Sequence, residues 1–457
     1  MANLIKTKRG LDIQINGKAK EVISQVVPSE TYAVIPDDFH GITPKLVVKE
    51  GDEVKAGSPL FHDKNFDTMN FVAPVSGKIL GVNRGERRKV LSITIQADAK
   101  NSYEKFNFKL SNKTTGDEVK EVLLKSGLWA FIKQRPYDVI ANPQSSPKAI
   151  FISTFDSAPL APNYEFVLSK QMDVFQTGVD ALAKLTSGKV QLGVKAGSAF
   201  NSVKNAVITQ YEGPHPVGNV GVQINHVDPV NKGEVVYTVN AQDVAIIGKF
   251  FSEGIVDLTR TVALTGPEVL EPQYYQIIVG CQLDKFYAGK VNANIPLRYI
   301  QGNVLSGKKS EGIFFLDPYT NQLSVIDEGS ETHEMFGWAK PRFNKFSASH
   351  TLFTGIFESK LYKSMFGQKE YKYDARLMGG KRAIIMSGEY DKVLPMDILP
   401  EFLFKAMITG NIDKMEALGA YEIAPEDVAL CEFVCTSKLP LQQIVRTALD
   451  NLKKELE

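Results

Sequence analysis

The chain has 457 residues, 43% of them hydrophobic and 23% charged, the balance of an ordinary globular protein, so disordered and fibrous classes are excluded. Lys and Arg number 53 against 52 Asp and Glu, a formal charge of +1, which excludes the broad positive field of a dedicated nucleic-acid binder. No run approaches the roughly 18 consecutive apolar residues of a spanning helix, so any membrane contact is expected to be peripheral.

In chain order, the start MANLIKTKRGLDI interrupts its apolar clusters with Lys6, Lys8 and Arg9, which leaves no signal-peptide core and predicts no export. KLVVKEGDEVKAGSPLF from Lys45 and FVAPVSGKILGVNRGERR from Phe71 read as short strands between Gly and Pro turns, an all-β module over residues 1–105. The turn KEGDEVKAG followed by APVSG resembles the barrel-sandwich fold of biotinyl and lipoyl carriers. Carriers need a modifiable lysine at a hairpin tip, flanked by Met or a small residue. In HDKNFDTMNF that position falls near Phe66, and Lys64 stands two residues away without the flanking pattern. A structural, unmodified module is expected.

Thr115 and Glu118 have capping-box spacing before Val119, Val122 and Leu123 on one face, which predicts a helix to Gly127. KAIFIST, KVQLGVK, AVITQYE and EVVYTVN then alternate with helical patterns through Phe175–Leu185, closed by Gly188, and Val244–Phe251, closed by Gly254. Alternation of this kind predicts a doubly wound α/β domain over 106–257. RTVALTG, YYQIIVG, PLRYIQGNVL, GIFFLDPY and QLSVIDEG follow, a small β-rich domain over 258–335. Beyond residue 385 the pattern is helical, with Phe402, Met407, Leu418, Leu441, Ile444, Leu449 and Leu452 as core candidates.

The familiar chemistries fail on inspection. FDSAPLAPN after KAIFIST contains no glycine, so the dinucleotide turn G-x-G-x-x-G is absent. GNVLSGKK at Gly302–Lys309 has near P-loop spacing, but Lys309 replaces the magnesium-binding hydroxyl, and the segment reads as a turn. Gly213, Pro214, His215, Pro216 and Gly218 form a candidate ligand loop just after a predicted strand, where open α/β sheets place ligands; its amides and His215 would meet an anion or a carbonyl. His215 and His226 are separated by ten residues read as loop and strand, and no histidine pair has metal spacing, so no metal site is expected. Cys281, Cys431 and Cys435 are too few for a disulfide framework and suit a reducing cytoplasm. Cys431 and Cys435 preserve only one pair of a ferredoxin-type motif, with Pro425, Val428 and Thr436 at the other positions, and read as buried helical thiols.

KRGLDIQI, VKEGDEVK, APVSGKI, VNRGERR, SGLWAFIKQRPY, KAIFIST, EGPHPVG, VNAQDVAIIGKFF, FGWAKPRFNKFS and ALGAYEIAPEDVALCEFVC together resemble, end to end, the A-subunit family of the bacterial sodium-translocating NADH:quinone oxidoreductases. That family is related to the C subunit of ferredoxin:NAD oxidoreductase and to the flavin subunit of respiratory complex I. The resemblance implies the order barrel-sandwich module, Rossmann-like domain, β-grasp (SLBB-like) domain and helical domain. Its relatives hold flavin on a glycine-rich run where this chain has SGLWAFIKQRP, and they carry two cluster motifs in the helical domain. Trp129, Phe131, Lys133 and Arg135 put bulk where bare backbone would touch the flavin; one cluster motif has no cysteine here and the other only two.

The resemblance therefore implies a subunit without a redox cofactor or catalytic residues of its own. It would serve a complex that uses NADH, flavins, iron-sulfur centres and quinone (ubiquinone or menaquinone) and exports sodium. Its partners would be the other subunits, including membrane-embedded ones, with quinone as a candidate ligand, and its place the cytoplasmic face of the inner membrane. The alternative is an FMN- or iron-sulfur-bearing NADH dehydrogenase subunit.

Charge is polarised along the C-terminal third. Trp338 to Arg382 holds 10 Lys or Arg against 3 Asp or Glu, interleaved with aromatic residues, whereas Asp397 to Glu457 holds 11 acidic against 6 basic. The basic aromatic segment, 336–385, connects to a helical domain over 386–457. Each basic residue near an anionic leaflet is worth roughly 1 kcal/mol. Trp338, Lys340, Arg342, Lys345 and Phe346 are the candidate interface to the peripheral membrane surface or a membrane-embedded partner.

Overall fold

The computed structural model describes residues 3–25, 27–330, 345, 346, 348, 356, 357 and 359–456. Four apolar strands, Ala149–Ser153, Lys189–Lys195, Ala206–Glu212 and Val236–Thr238, run parallel as the middle of a seven-stranded sheet. Ile150, Phe151 and Ile152 are buried, as parallel strands covered on both faces require. Asn3–Lys6 extends the sheet in parallel beside Ala206–Glu212, and the antiparallel pair Lys133–Arg135 and Val139–Ile140 closes the other edge.

The predicted helices form, each for a visible reason. Gly116–Lys125 starts at Thr115, whose side chain accepts from the Glu118 amide while the Glu118 carboxylate accepts from the Thr115 amide at 2.8 Å. Met172–Leu182 and Ala241–Glu253 lie backbone against backbone. A Cβ on Gly248 would come within 1.7 Å of the Val174 carbonyl oxygen, and one on Gly178 within 2.1 Å of that of Val244. His226 lies on a helix, Val220–Val227, and not on a strand. Val220, Val222 and Ile224 alternate in sequence, but the segment folds as a short helix that buries Gly221 through Ile224.

The β module comprises Thr31–Val34, Pro44–Leu46, Glu53–Val54, Pro59–Asp63, Asn70–Val72, Gly77–Arg84 and Val90–Ala97, arranged in a four-stranded and a three-stranded sheet. Phe61 and Phe71 stack at 4.6 Å in its core. Lys64 is exposed, and Phe66 packs against the core.

Residues 3–24 belong elsewhere. Asn3–Lys6 joins the α/β sheet, and Lys20–Ser24 pairs in parallel with Gln273–Ile278 at the edge of the β-rich domain. The amino-terminal segment thus crosses the expected boundary at residue 105 by satisfying backbone donors and acceptors of two sheet edges.

The β-rich domain is a six-stranded sheet of Thr259–Thr265, Gln273–Ile278, Leu297–Gln301, Lys308–Ser310, Gln322–Asp327 and the strand Lys20–Ser24. GIFFLDPY contributes only an isolated bridge, Gln282 to Phe315. Where it is described, the expected connecting segment docks onto its neighbours, with bridges Ile15–Tyr371 and Asp327–Asp374.

Glu389–Val393, Pro400–Thr409, Ile412–Ala417, Ala429–Val434 and Leu441–Leu456 make the helical domain. Leu441, Leu449, Leu452 and Met407 fill its core, while Leu418 and Ile444 are half-buried. Phe402 is 52% exposed: Leu403, Phe404, Ala406 and Met407 take the inward face of Pro400–Thr409. Among the described residues no helix is long and apolar enough to cross a membrane.

Candidate functional site

The chain runs from Ala149–Ser153 to a neighbour on one side and returns to Val236–Thr238 on the other, which leaves a gap outside the carboxyl ends of these two strands. A cavity of about 240 Å³ opens there, lined by residues that include Ser153, Phe155, Thr238, Lys133, His215 and Tyr319. The loop Thr154–Asn163 separates it from a second chamber of about 630 Å³ lined in part by Ile13, Ile15, Lys195 and Gly213.

Phe131, Phe155, Tyr164 and Tyr319 line the smaller chamber, and Trp129, outside that lining, meets Tyr237 edge-on at 6.0 Å. Trp129 is buried and its indole Nε1 donates to the Ala141 carbonyl at 2.7 Å. Phe131 meets Tyr319 edge-on at 5.9 Å, and the Tyr319 hydroxyl donates to the Ala130 carbonyl at 2.7 Å. Two buried ionic clusters brace the walls. Arg260 pairs with Asp243, donates to Asn321 Oδ1 at 2.7 Å and lies 5.4 Å from the Phe131 ring centre. Burial pushes the Asp243 carboxyl up to about 6 despite the opposing pull of Arg260. Arg135 donates to Asp427 and to Glu426, each at 3.0 Å. Burial alone would lower the Arg135 guanidinium, but the carboxylates of Asp427, Asp138 and Glu426 outweigh it and push it up.

Lys133 enters between these clusters. Its ammonium lies 4.7 Å from the Tyr319 ring centre, and no carboxylate among the described residues comes within ion-pair range of it.

Of the candidate loop, His215 and Gly218 line this cavity and Gly213 lines the larger chamber. His215 is 4% exposed and its imidazole is pushed down to about 4 by burial, so the ring is neutral at physiological pH. Three of the loop's amides are committed within the protein: His215 to Asp12 Oδ1 at 2.9 Å, Val217 to the Pro214 carbonyl at 3.1 Å, and Gly218 to Ser157 Oγ at 2.9 Å. A Cβ on Gly218 would lie 2.6 Å from the Ser157 amide, so glycine holds the loop against the neighbouring strand end. Ser157 Oγ is 3.1 Å from His215 Nδ1, but an imidazole titrating near 4 is a weak general base, so the pair lacks the activation of a hydrolytic dyad.

Of the candidate interface, Trp338, Lys340 and Arg342 lie outside the described residues. Lys345 is ion-paired to Asp374 at 2.5 Å, and Phe346 packs on Tyr371, Tyr373 and Phe433, so these two face the protein. Cys431 and Cys435 are buried, with Cys435 Sγ 3.0 Å from the Tyr390 hydroxyl and the Cys431 thiol pushed up by burial. Among the described residues no three His, Cys, Asp or Glu side chains gather as a metal site.

Sequence reasoning missed Asp243, Arg260, Tyr319 and Glu426 as walls, and treated Lys133 as bulk alone. Only the depleted glycine content near Leu128 signalled that this turn had changed character. The segment Gly302–Lys309, correctly a turn, also reaches the cavity through Asn303, Leu305 and Ser306.

Family models match three parts of the chain: the NqrA N-terminal barrel-sandwich hybrid domain at residues 5–98, the NqrA second alpha/beta domain at 114–256, and the NQRA C-terminal domain, an SLBB model, at 261–312. Among A subunits of Na(+)-translocating NADH-quinone reductases, the chain is 34% identical to that of Pasteurella multocida, 36% to that of Yersinia pseudotuberculosis and 35% to that of Neisseria meningitidis serogroup A. Each alignment covers 99% of this chain and 100% of the relative. The barrel-sandwich module, the α/β sheet and the SLBB sheet thus stand in the order those models describe, and the chain belongs to the family of A subunits of the Na(+)-translocating NADH-quinone reductases.

Proposed function

We propose that this chain is a peripheral, cytoplasmic-face subunit of a sodium-translocating NADH:quinone oxidoreductase, that it carries no redox cofactor of its own, and that its switch-point cavity receives a quinone ring. The single observation that carries the reading is the turn Leu128–Phe131. In the flavin-bearing relatives to which the sequence leads, a glycine-rich backbone occupies this region, whereas here Trp129, Phe131 and Arg135 are buried side chains held by hydrogen bonds and ion pairs. A flavin seated in the relatives' manner would have to displace them, and these residues do not fit that group. Two buried thiols, hydrogen-bonded or walled off by apolar neighbours, do not supply the four thiolates of a cluster.

What remains suits a neutral, flat, carbonyl-bearing ring: an aromatic wall, a neutral imidazole and a lysine ammonium with no carboxylate on it. The test is equilibrium binding of a short-chain quinone to the purified chain. Lys133→Met should weaken it by about tenfold, the worth of one charge-assisted hydrogen bond, and His215→Ala by a comparable factor. Unchanged affinity in both variants removes this cavity as the quinone site.

A further inference from the structure

More than half of the exposed large apolar side chains among the described residues fall between Ile356 and Ile408. Within that stretch, Leu377–Met386 forms an extended strap across the helical domain. Its backbone is pinned: the Arg382 amide donates to the Ser437 carbonyl at 2.9 Å, Ser437 Oγ donates to the Ala383 carbonyl at 2.8 Å, and Ile384 packs on the helical core. Leu377 and Met378 on one side of this anchor, and Ile385 and Met386 on the other, are each more than half exposed. They are held outward by an ordered backbone.

The strap ends where the amides of Ser387 and Gly388 donate to the buried Glu401 carboxylate at 2.8 and 2.7 Å. This fastens it beside Pro400–Thr409, whose outward stripe, read every third residue, is Leu399, Phe402, Lys405 and Ile408. Glu389, just past the strap, pairs with Lys392, and Asp397 is exposed two residues before Leu399. Lys381 and Arg382 are exposed, and no carboxylate among the described residues is within ion-pair range of either. By sequence, residues 356–386 hold seven Lys or Arg against three Asp or Glu.

We infer that the strap Leu377–Met386 and the outward stripe of Pro400–Thr409 form a docking surface for an anionic lipid bilayer. The interleaving decides between a bilayer and a protein partner. Protein interfaces deplete lysine from their apolar centre and place charge at the rim. Here Lys381 and Arg382 divide two apolar pairs and Lys405 divides an apolar stripe, the pattern of side chains whose apolar parts enter the acyl boundary while their charged heads stay with phosphate. The inference rests on the peripheral reading above and deepens it, moving the contact from the inward-facing Lys345 and Phe346 to a face that is open.

The experiment is flotation of the purified full-length chain with vesicles of phosphatidylcholine alone, or of phosphatidylcholine and phosphatidylglycerol at three to one, at low and high salt. Binding is expected on the anionic vesicles only and should fall with salt. Lys381→Glu with Arg382→Glu should lower it by about tenfold or more, and Ile385→Ser with Met386→Ser should lower it at low salt, with unchanged far-ultraviolet circular dichroism in both. Equal binding of wild type to neutral and anionic vesicles, or unchanged binding in both variants, overturns the inference. Absence of vesicle binding by a chain that still co-purifies with membrane-embedded subunits also overturns it and leaves the peripheral reading standing. Failure of both vesicle binding and co-purification removes the two together.

Discussion

Arg135 and Asp427, 292 residues apart, meet in the protein interior at 3.0 Å, and this contact joins the strand Lys133–Arg135, next to the edge of the α/β sheet, to the helical domain. Asp427 also accepts from the Ala424 amide at 2.9 Å. Asp427→Ala leaves the buried Arg135 guanidinium to Glu426 and Asp138 alone and should cost about 3 kcal/mol, the low end for breaking a buried pair. Arg135→Met with Asp427→Leu should cost less than either single change. Urea unfolding of the three variants checks the ordering, and an additive double variant would contradict it.

His215 gives the protein a definite acid limb. Its imidazole titrates near 6.5 in the unfolded chain and near 4 when buried, so the unfolded state takes up the proton first. Stability from this group is complete above about pH 6.5 and is lost as pH falls toward 4, by about 3 kcal/mol in all. His215→Gln should flatten thermal stability between those two pH values, without moving the carboxylate losses at lower pH. A parent-like slope in the variant would assign the limb to other groups.

Gly248→Ala tests the contact between Met172–Leu182 and Ala241–Glu253. An alanine gains helix propensity, but its Cβ meets the Val174 carbonyl, and overpacking of this kind costs about 1 to 3 kcal/mol or more. Gly380→Ala, where an added Cβ meets nothing within 4 Å, should change stability by less than about 0.5 kcal/mol. Thermal denaturation of the two variants side by side is the measurement.

Cys431 and Cys435 should resist alkylation in the native protein and react together on unfolding. Both are buried, and burial raises the Cys431 thiol, which starves the reaction of thiolate. A thiol titration in buffer and in denaturant separates this from an exposed pair, which would react at once.

How much of this was legible in the sequence follows from which interactions are local. Thr115 and Glu118 were readable as a capping box because the reciprocal bonds span three residues. The parallel strands were readable because they alternate with helical patterns, and Ala149–Ser153 because a strand covered on both faces is continuously apolar. The helix Val220–Val227 misled because its apolar residues alternate at a period of two, and the strap's neighbour Phe402 misled because four adjacent residues already fill the inward face. The amino-terminal strands Asn3–Lys6 and Lys20–Ser24 pair with partners about 200 and 250 residues away, and the walls of the cavity are ion pairs between distant segments. Nothing in the local pattern of Arg260 announces Asp243, and nothing near Arg135 announces Asp427.

The central claim is that Trp129, Phe131 and Arg135 fill the flavin's place and that two thiols cannot hold a cluster. Its most direct test is the flavin and iron content of the chain, purified from its assembled complex, by extraction and visible spectroscopy. The account predicts neither flavin nor iron in stoichiometric amount with the chain, and an unchanged result after reconstitution with FMN or with iron and sulfide. One equivalent of bound FMN, or one cluster per chain, would contradict it.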